Sequence, residues 1–274
     1  MSKAIKPLTN EQLKAKAPSL FTSEPHFEVS DKYHFIPTID VIEEIRFHNW
    51  YPVSVAVANV RDEEKEGFQQ HCVRFRHFED LLNPKDNAVE LLLFNSHDRS
   101  KAFSISAGIF RFVCANGLVI SDSVFEAYKI KHLGERDNDV ANAVANITSI
   151  KPKLMQKIEK LESITLNQSE KESFAKSSIP LRFEEHLEIN HNDLLIPHRF
   201  EDSKNDLYTV LNVIQENLLR GNISGINKDT KRKFTSKEIT SISKDTDVNK
   251  GLWEIAERIA SIKNDSYDSP VIAA

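Results

Sequence analysis

Glu90-Leu-Leu-Leu-Phe94 and Ala102-Phe-Ser-Ile-Ser-Ala-Gly-Ile-Phe-Arg-Phe-Val113, joined by the polar turn Asn95-Ser-His-Asp-Arg-Ser-Lys101, decide the fold. Each flank is a short apolar run, and the connection holds Asn, Ser and Asp, which bond their own backbone in turns; the reading is a β-hairpin. Upstream, Tyr51-Pro-Val-Ser-Val-Ala-Val-Ala-Asn-Val60 alternates Val53, Val55 and Val57 with small residues. An acidic turn from Asp62 to Gly67 follows, and then Cys72, Arg74 and Arg76 alternate with Val73 and Phe75. These are two hairpins in succession, hence four consecutive antiparallel strands. Asn116-Gly117 supplies the positive-φ residues of a tight turn after the fourth, and Leu118-Val-Ile120 resumes an apolar run.

Around this meander the periodicity is helical. Pro37-Thr-Ile-Asp-Val-Ile-Glu-Glu-Ile45 reads as a helix with Thr38 as N-cap, laid on the sheet through Ile39, Ile42 and Ile45. Val140, Val144, Ile147, Leu154, Ile158 and Leu161 trace the stripe of a long helix, with a kink or a new helix expected at Pro152. Asp206 N-caps an amphipathic helix over Leu207 to Leu219 that ends at Gly221, and Asn249 to Ile262 forms a last one. The fold class is therefore α+β: an antiparallel β-meander sheet packed against a long helix, with a helical C-terminal region. The expected organisation is an N-terminal arm over 1–30, an α+β core domain over 31–180, a helical region with a basic loop over 181–264, and a disordered tail over 265–274. The arm holds at most a short helix at Asn10 to Ala17 and would gain order by packing in an oligomer.

The chain has 274 residues, 40% of them hydrophobic and 28% charged, and a net charge of -5. It carries no apolar run of the roughly 18 residues that span a bilayer and no basic-then-apolar leader. The expectation is a cytoplasmic protein with no membrane partner. Cys72 and Cys114 sit in alternating apolar segments, as buried reduced thiols do. Seven glycines, with neither GxxxxGK[ST] nor GxGxxG, leave no cradle for a nucleotide, so no cofactor is expected. Nor is there an HExxH or paired CxxC. A metal-dependent nuclease would need His71, His77, His97, Asp98 and His132 to converge. Ser96, His97 and Asp98 have the residue types of a hydrolase triad, but three chain neighbours do not adopt nucleophile, base and orienter geometry. We expect no catalytic residues: Asn95 and Asp98 bond local amides, while His97 and Arg99 face outward.

Local charge is more informative than the total. Arg74 and Arg76 share strand parity, and with His97, Arg99, Lys101 and Arg111 they suggest a basic sheet face that meets phosphates; Arg111 either points out of the core or pairs with an acid such as Asp98. Between Arg220 and Lys237 the chain carries Lys228, Lys231, Arg232 and Lys233 against the single acid Asp229. This segment reads as a flexible basic loop able to contact a nucleic-acid backbone.

Tyr33-His-Phe-Ile-Pro-Thr38, the Asn95 to Lys101 turn, Phe110 to Leu118, His132, Asn212 to Gly221 and Leu252-Trp253 together resemble a phage- and plasmid-borne family known as domain of unknown function 932. In this chain Arg99 follows Asp98 where the family pattern has a small residue. The resemblance implies cargo of mobile elements in a bacterial host, near DNA recombination. The order of helix, β-meander and long helix is also similar to phage single-strand annealing proteins, which implies a homo-oligomer holding single-stranded DNA by its backbone, with Lys231, Arg232 and Lys233 closing over the strand. The competing expectation is an anti-defence or regulatory protein that binds a host protein, for which the acidic balance would serve.

Overall fold

A computed structural model describes residues 6–29, 33, 35–60, 62–111, 116–119 and 139–268, with side chains placed except at 116–119, 139 and 264–268. The chain divides into two compact units, residues 1–152 and 153–274.

The first unit is built on an antiparallel sheet of five strands in sequence order: β1 (Trp50–Val57), β2 (His71–His77), β3 (Asn87–Asn95), β4 (Ser104–Arg111) and β5 (Asn116–Val119). The expected meander is present. Its fourth turn is not where Asn116-Gly117 suggested, because Asn116 pairs with Arg111 and Gly117 with Phe110 as part of β5. The regular alternation of Val53, Val55 and Val57 is also broken: the register with β2 shifts between Pro52 and Ser54, a bulge that flips the parity of β1. Opposed residues share a face of the sheet. One face carries His71, Val73, Phe75, Leu91, Leu93, Asn95, Ile105 and Ile109, and the other carries Arg74, Arg76, Glu90, Leu92, Phe94 and Phe110. β3 and β4 are buried along almost their whole length, which is why Glu90-Leu-Leu-Leu-Phe94 is continuously apolar after Glu90 instead of alternating.

Helix α1 (Asn10–Lys16) opens with a capping box between Thr9 and Gln12. Leu13, Ala17 and Leu20 are fully buried, and Leu8 donates its N–H to the Pro52 carbonyl. The N-terminal segment is thus no loose arm waiting for an oligomer; it packs within its own chain beside the edge strand β1. Helix α2 (Thr38–Phe47) buries Val41, Ile42 and Ile45, but its N-cap is Pro37 and Thr38 is already helical. The Thr38 hydroxyl is spent on the core instead. A short helix, α3 (Phe78–Leu82), follows β2.

Helix α4 (Asp139–Ser163) is continuous across Pro152, and the boundary between the units falls inside it. Thr148 in its N-terminal part accepts a hydrogen bond from Trp50 Nε1, and Lys151 pairs with Asp80 at 2.6 Å. In the second unit, α5 (Gln168–Ser178), α6 (Leu207–Arg220) and α7 (Ile242–Asp268) form the helical C-terminal region. Asp206 caps α6 through Thr209 N, and Gly221 ends it at φ 78°. α7 is longer than expected at both ends, so 265–268 are helical where a tail was expected. The segment expected as a flexible basic loop, Arg220 to Lys237, instead holds the hairpin of β7 (Ser224–Asn227) and β8 (Lys233–Thr235), which joins β6 (Leu187–Ile189) in a small antiparallel sheet.

Candidate nucleic-acid interface

The two arginines with the greatest promise in the sequence converge on one carboxylate. Glu90 stands opposite Arg76 across β2 and β3, and its side chain is 2% exposed. Oε1 accepts from Arg76 at 2.6 Å and Oε2 from Arg74 Nε at 2.6 Å. The Phe110 ring lies against both guanidiniums, 4.9 Å from Arg74 and 4.6 Å from Arg76. Arg76 itself is 1% exposed. The cluster is a charge-assisted buried network, not a row of cations presented to solvent. Arg111 does not join it. Its register partner is Asn87, which places it on the opposite face and at the far end of the β3–β4 pair from the Asp98 turn. Pairing with Asp98 is thereby ruled out.

The Asn95 to Lys101 turn also differs from its expected form. Ser96 Oγ donates to the Lys101 carbonyl and accepts from Lys101 N, and Asp98 Oδ1 accepts from Ser100 N and Oγ, so the turn closes on itself as Asn, Asp and Ser allow. Burial pushes the Asp98 carboxyl up, but these bonds hold it below its ordinary value. Arg99 is exposed at φ 65°, and Lys101 lies 5.4 Å from the Phe94 ring centroid. His97 points inward and is fully buried. Asn95 bonds the distant Ile36 carbonyl and Thr38 hydroxyl, not local amides.

Thr38 Oγ1 is the hub of this interior. It lies 2.9 Å from His71 Nε2, 3.3 Å from His97 Nε2 and 3.1 Å from the Asn95 amide. The donors assign the tautomers. His71 Nδ1 faces the Gln69 carbonyl at 3.2 Å, which can only accept, so Nδ1 carries the proton and bare Nε2 accepts the Thr38 hydroxyl. Thr38 has a single proton to give, so His97 Nε2 donates to it. Ser19 Oγ sits 3.1 Å from His71 Nδ1 and ties in the N-terminal segment. Burial first, and the neighbouring His97 second, push His71 down to about 3. The His71 and His97 rings approach to 5.4 Å, whereas His77 lies beside Trp50 at the other end of the strand. His132 falls outside the described residues. Among the described residues no group of three or more His, Cys, Asp or Glu is placed to hold a metal ion. Cys72 is buried and forms no disulfide among the described residues; Cys114 lies outside the described residues.

In the second unit, α6 buries polar side chains that its sequence pattern hides. Glu216 is 1% exposed and takes both Arg199 nitrogens at 2.7 Å, with Arg220 at 2.6 Å. Its hydrogen bonds push the Arg199 guanidinium above its ordinary value. Asn217 bonds the Leu194 and Ile196 carbonyls.

The remaining expected cations lie on the β7–β8 hairpin. Asn227 Oδ1 accepts from Asp229 N and Thr230 N, Asn227 N donates to the Arg232 carbonyl, and Lys231 takes φ 57°. Lys228 anchors the turn through N to the His186 carbonyl and Nζ to the Glu185 carbonyl. Lys231, Arg232 and Lys233 are exposed, and none of the three is paired with a carboxylate among the described residues. Register places Ile226 opposite Lys233 and Ser224 opposite Thr235, all on the outer face, while Phe234 turns inward toward Phe183. The hairpin therefore presents fixed cations, two hydroxyls and one half-exposed aliphatic side chain.

Residues 25–253 match the family described as Domain of unknown function (DUF932). The chain belongs to that family. The DUF932 match runs from before the five-stranded sheet into α7, so it takes in both the buried arginine cluster and the basic hairpin. Two relatives from Escherichia coli (strain K12), UPF0380 protein YafZ and UPF0380 protein YfjQ, are each 31% identical over 255 residues, which is 93% of this chain and 92% of theirs. No solved structure matches.

Sequence reasoning missed Glu90, Thr38, Arg199 and Glu216. Glu90 had a visible signal, a lone carboxylate at the head of an apolar strand within reach of alternating arginines. Glu216 sits on a helix buried on every side over 207–218, where amphipathic patterning carries no information.

Proposed function

We propose that this protein binds single-stranded DNA through the basic β7–β8 hairpin, in the bacterial cytoplasm, in the DNA metabolism of a phage or mobile element. The observation that supports it is the state of the cations. Arg74 and Arg76 are consumed by Glu90, whereas Lys231, Arg232 and Lys233 are exposed, unpaired and carried on a turn whose backbone is bonded in place. Such a surface gains from counterion release when it meets phosphates. The outer face adds Ser224, Thr235 and Ile226, which suit sugar and base surfaces without reading a sequence. No helix among the described residues is long and apolar enough to cross a membrane.

The test is fluorescence anisotropy with labelled single-stranded and double-stranded oligonucleotides, comparing wild type with Lys231→Ala/Arg232→Ala/Lys233→Ala. The expected result is single-strand binding lost in the triple variant, with the fold intact by circular dichroism. Equal binding by the variant would overturn the hairpin assignment. Absence of any binding by wild type would turn the reading to a host protein as partner.

A further inference from the structure

Beside the hairpin lies an open groove of about 810 Å³, within the roughly 300–1,000 Å³ typical of small-molecule sites. Asn190, Asp193, Ser224, Ile226, Lys233 and Phe234 line it. Gly225 makes room for its floor: a Cβ there would stand 2.6 Å from the Phe234 ring and 2.7 Å from Ile189. Two carboxylates line the groove without a cation partner among the described residues, the exposed Glu188 and Asp193, and the one partly withdrawn from solvent is Asp193. It is half-buried, pairs with no cation among the described residues, and faces the same space as Lys233. Its carboxylate is nevertheless held in place. Asn190 Oδ1 is occupied by Asn192 N at 3.1 Å, which turns the Asn190 amide nitrogen to Asp193 Oδ1 at 3.3 Å, while Oδ2 has no hydrogen-bond partner among the described residues.

A carboxylate beside a phosphate-binding surface repels the backbone it adjoins, unless it meets hydrogen-bond donors. Nucleobases supply them. Guanine offers N1–H and the N2 amino group side by side, a match for the two oxygens of one carboxylate, whereas thymine presents two carbonyl oxygens around a single N–H. That edge is free only when the strand is unpaired. We infer that this groove is a base pocket in which Asp193 accepts from the Watson–Crick edge of a guanine while Lys231, Arg232 and Lys233 hold the flanking phosphates. The inference rests on the proposed strand-binding role of the hairpin and adds to it a base preference and a reason for single strands.

The experiment compares three strands on the full-length protein: oligothymidylate, the same strand with isolated guanines, and that strand with inosine, which lacks the N2 amino group, at those positions. Wild type should bind the guanine strand about tenfold more tightly than oligothymidylate, with inosine in between. Asp193→Asn should bring guanine and thymine within about twofold, and its affinity for oligothymidylate should hold or rise because a negative charge is gone. The inosine strand tests the same contact without altering the protein. Equal affinity of wild type for guanine and thymine strands, with binding still salt-sensitive and lost in the hairpin triple variant, would overturn the pocket and leave the hairpin reading standing. Binding to none of the strands would overturn both.

Discussion

Acid should destabilise the first unit through His71 well before its carboxylates respond. In the folded protein His71 is held at about 3 by burial and by His97, while an unfolded histidine titrates near about 6.5. A base whose folded value is depressed lets the unfolded chain take up the proton first. Stability is therefore complete above pH ~6.5 and is lost as pH falls from there toward about 3, at ~1.4 kcal/mol per unit. At pH 5, about 1.5 units into that window, the loss is about 2 kcal/mol. Asp98 is also held below its ordinary value, but a carboxyl lowered from 3.8 loses its contribution only as pH falls through that value, outside the interval tested. The assay is urea unfolding at pH 7.5 and pH 5 in a Trp253→Phe background. The chain has two tryptophans, so this isolates Trp50, which is fully buried in the same unit. A His71→Gln protein is less stable at both values but should lose about 2 kcal/mol less on acidification than the parent. Parallel losses in the two proteins would refute the buried neutral imidazole.

Other outcomes follow from contacts that cannot be relaxed. Glu90→Gln removes the carboxylate that Arg74 and Arg76 share and should cost about 3–5 kcal/mol by the same Trp50 unfolding curve, since it leaves the guanidiniums short of charge. A double replacement of Arg74 and Arg76 by Met together with Glu90→Leu should recover much of that loss. Gly221→Ala should cost about 1–3 kcal/mol, read from Trp253 in a Trp50→Phe background: the backbone sits at φ 78°, and a Cβ would meet the Lys237 carbonyl at 2.6 Å. Asp206→Ala, which strips the cap of α6 at Thr209 N, should cost about 1 kcal/mol in the same assay.

The sheet was legible because its signals are local. Short apolar runs, turn residues at Asn95 to Lys101 and the alternation around Arg74 and Arg76 require no knowledge of distant partners. α6 was legible at both ends for the same reason, through Asp206 and Gly221. What failed was long-range. One bulged residue between Pro52 and Ser54 flips the parity of β1, and the register of Arg76 against Glu90 and of Arg111 against Asn87 decides which charges share a face; none of these leaves a mark in spacing. His97 looked like a turn residue facing water because the hydroxyl that draws it inward belongs to Thr38, 59 positions away in sequence. Strands of three and four residues within a polar, glycine-containing segment gave β7 and β8 too little apolar pattern to stand out, so the hairpin read as a loop. The cations on it were nonetheless visible, and Glu90 holds their competitors at Arg74 and Arg76 in a shared ion pair.

The most direct test is the salt dependence of single-strand binding. Three phosphate contacts, from Lys231, Arg232 and Lys233, predict a slope of log affinity against log salt near about -2, from ~0.7 counterions released per contact. Replacement of all three by alanine should bring that slope close to zero, while Arg99→Ala leaves it near the wild-type value. A wild-type slope near zero, or a steep slope untouched by the triple replacement, would contradict the account.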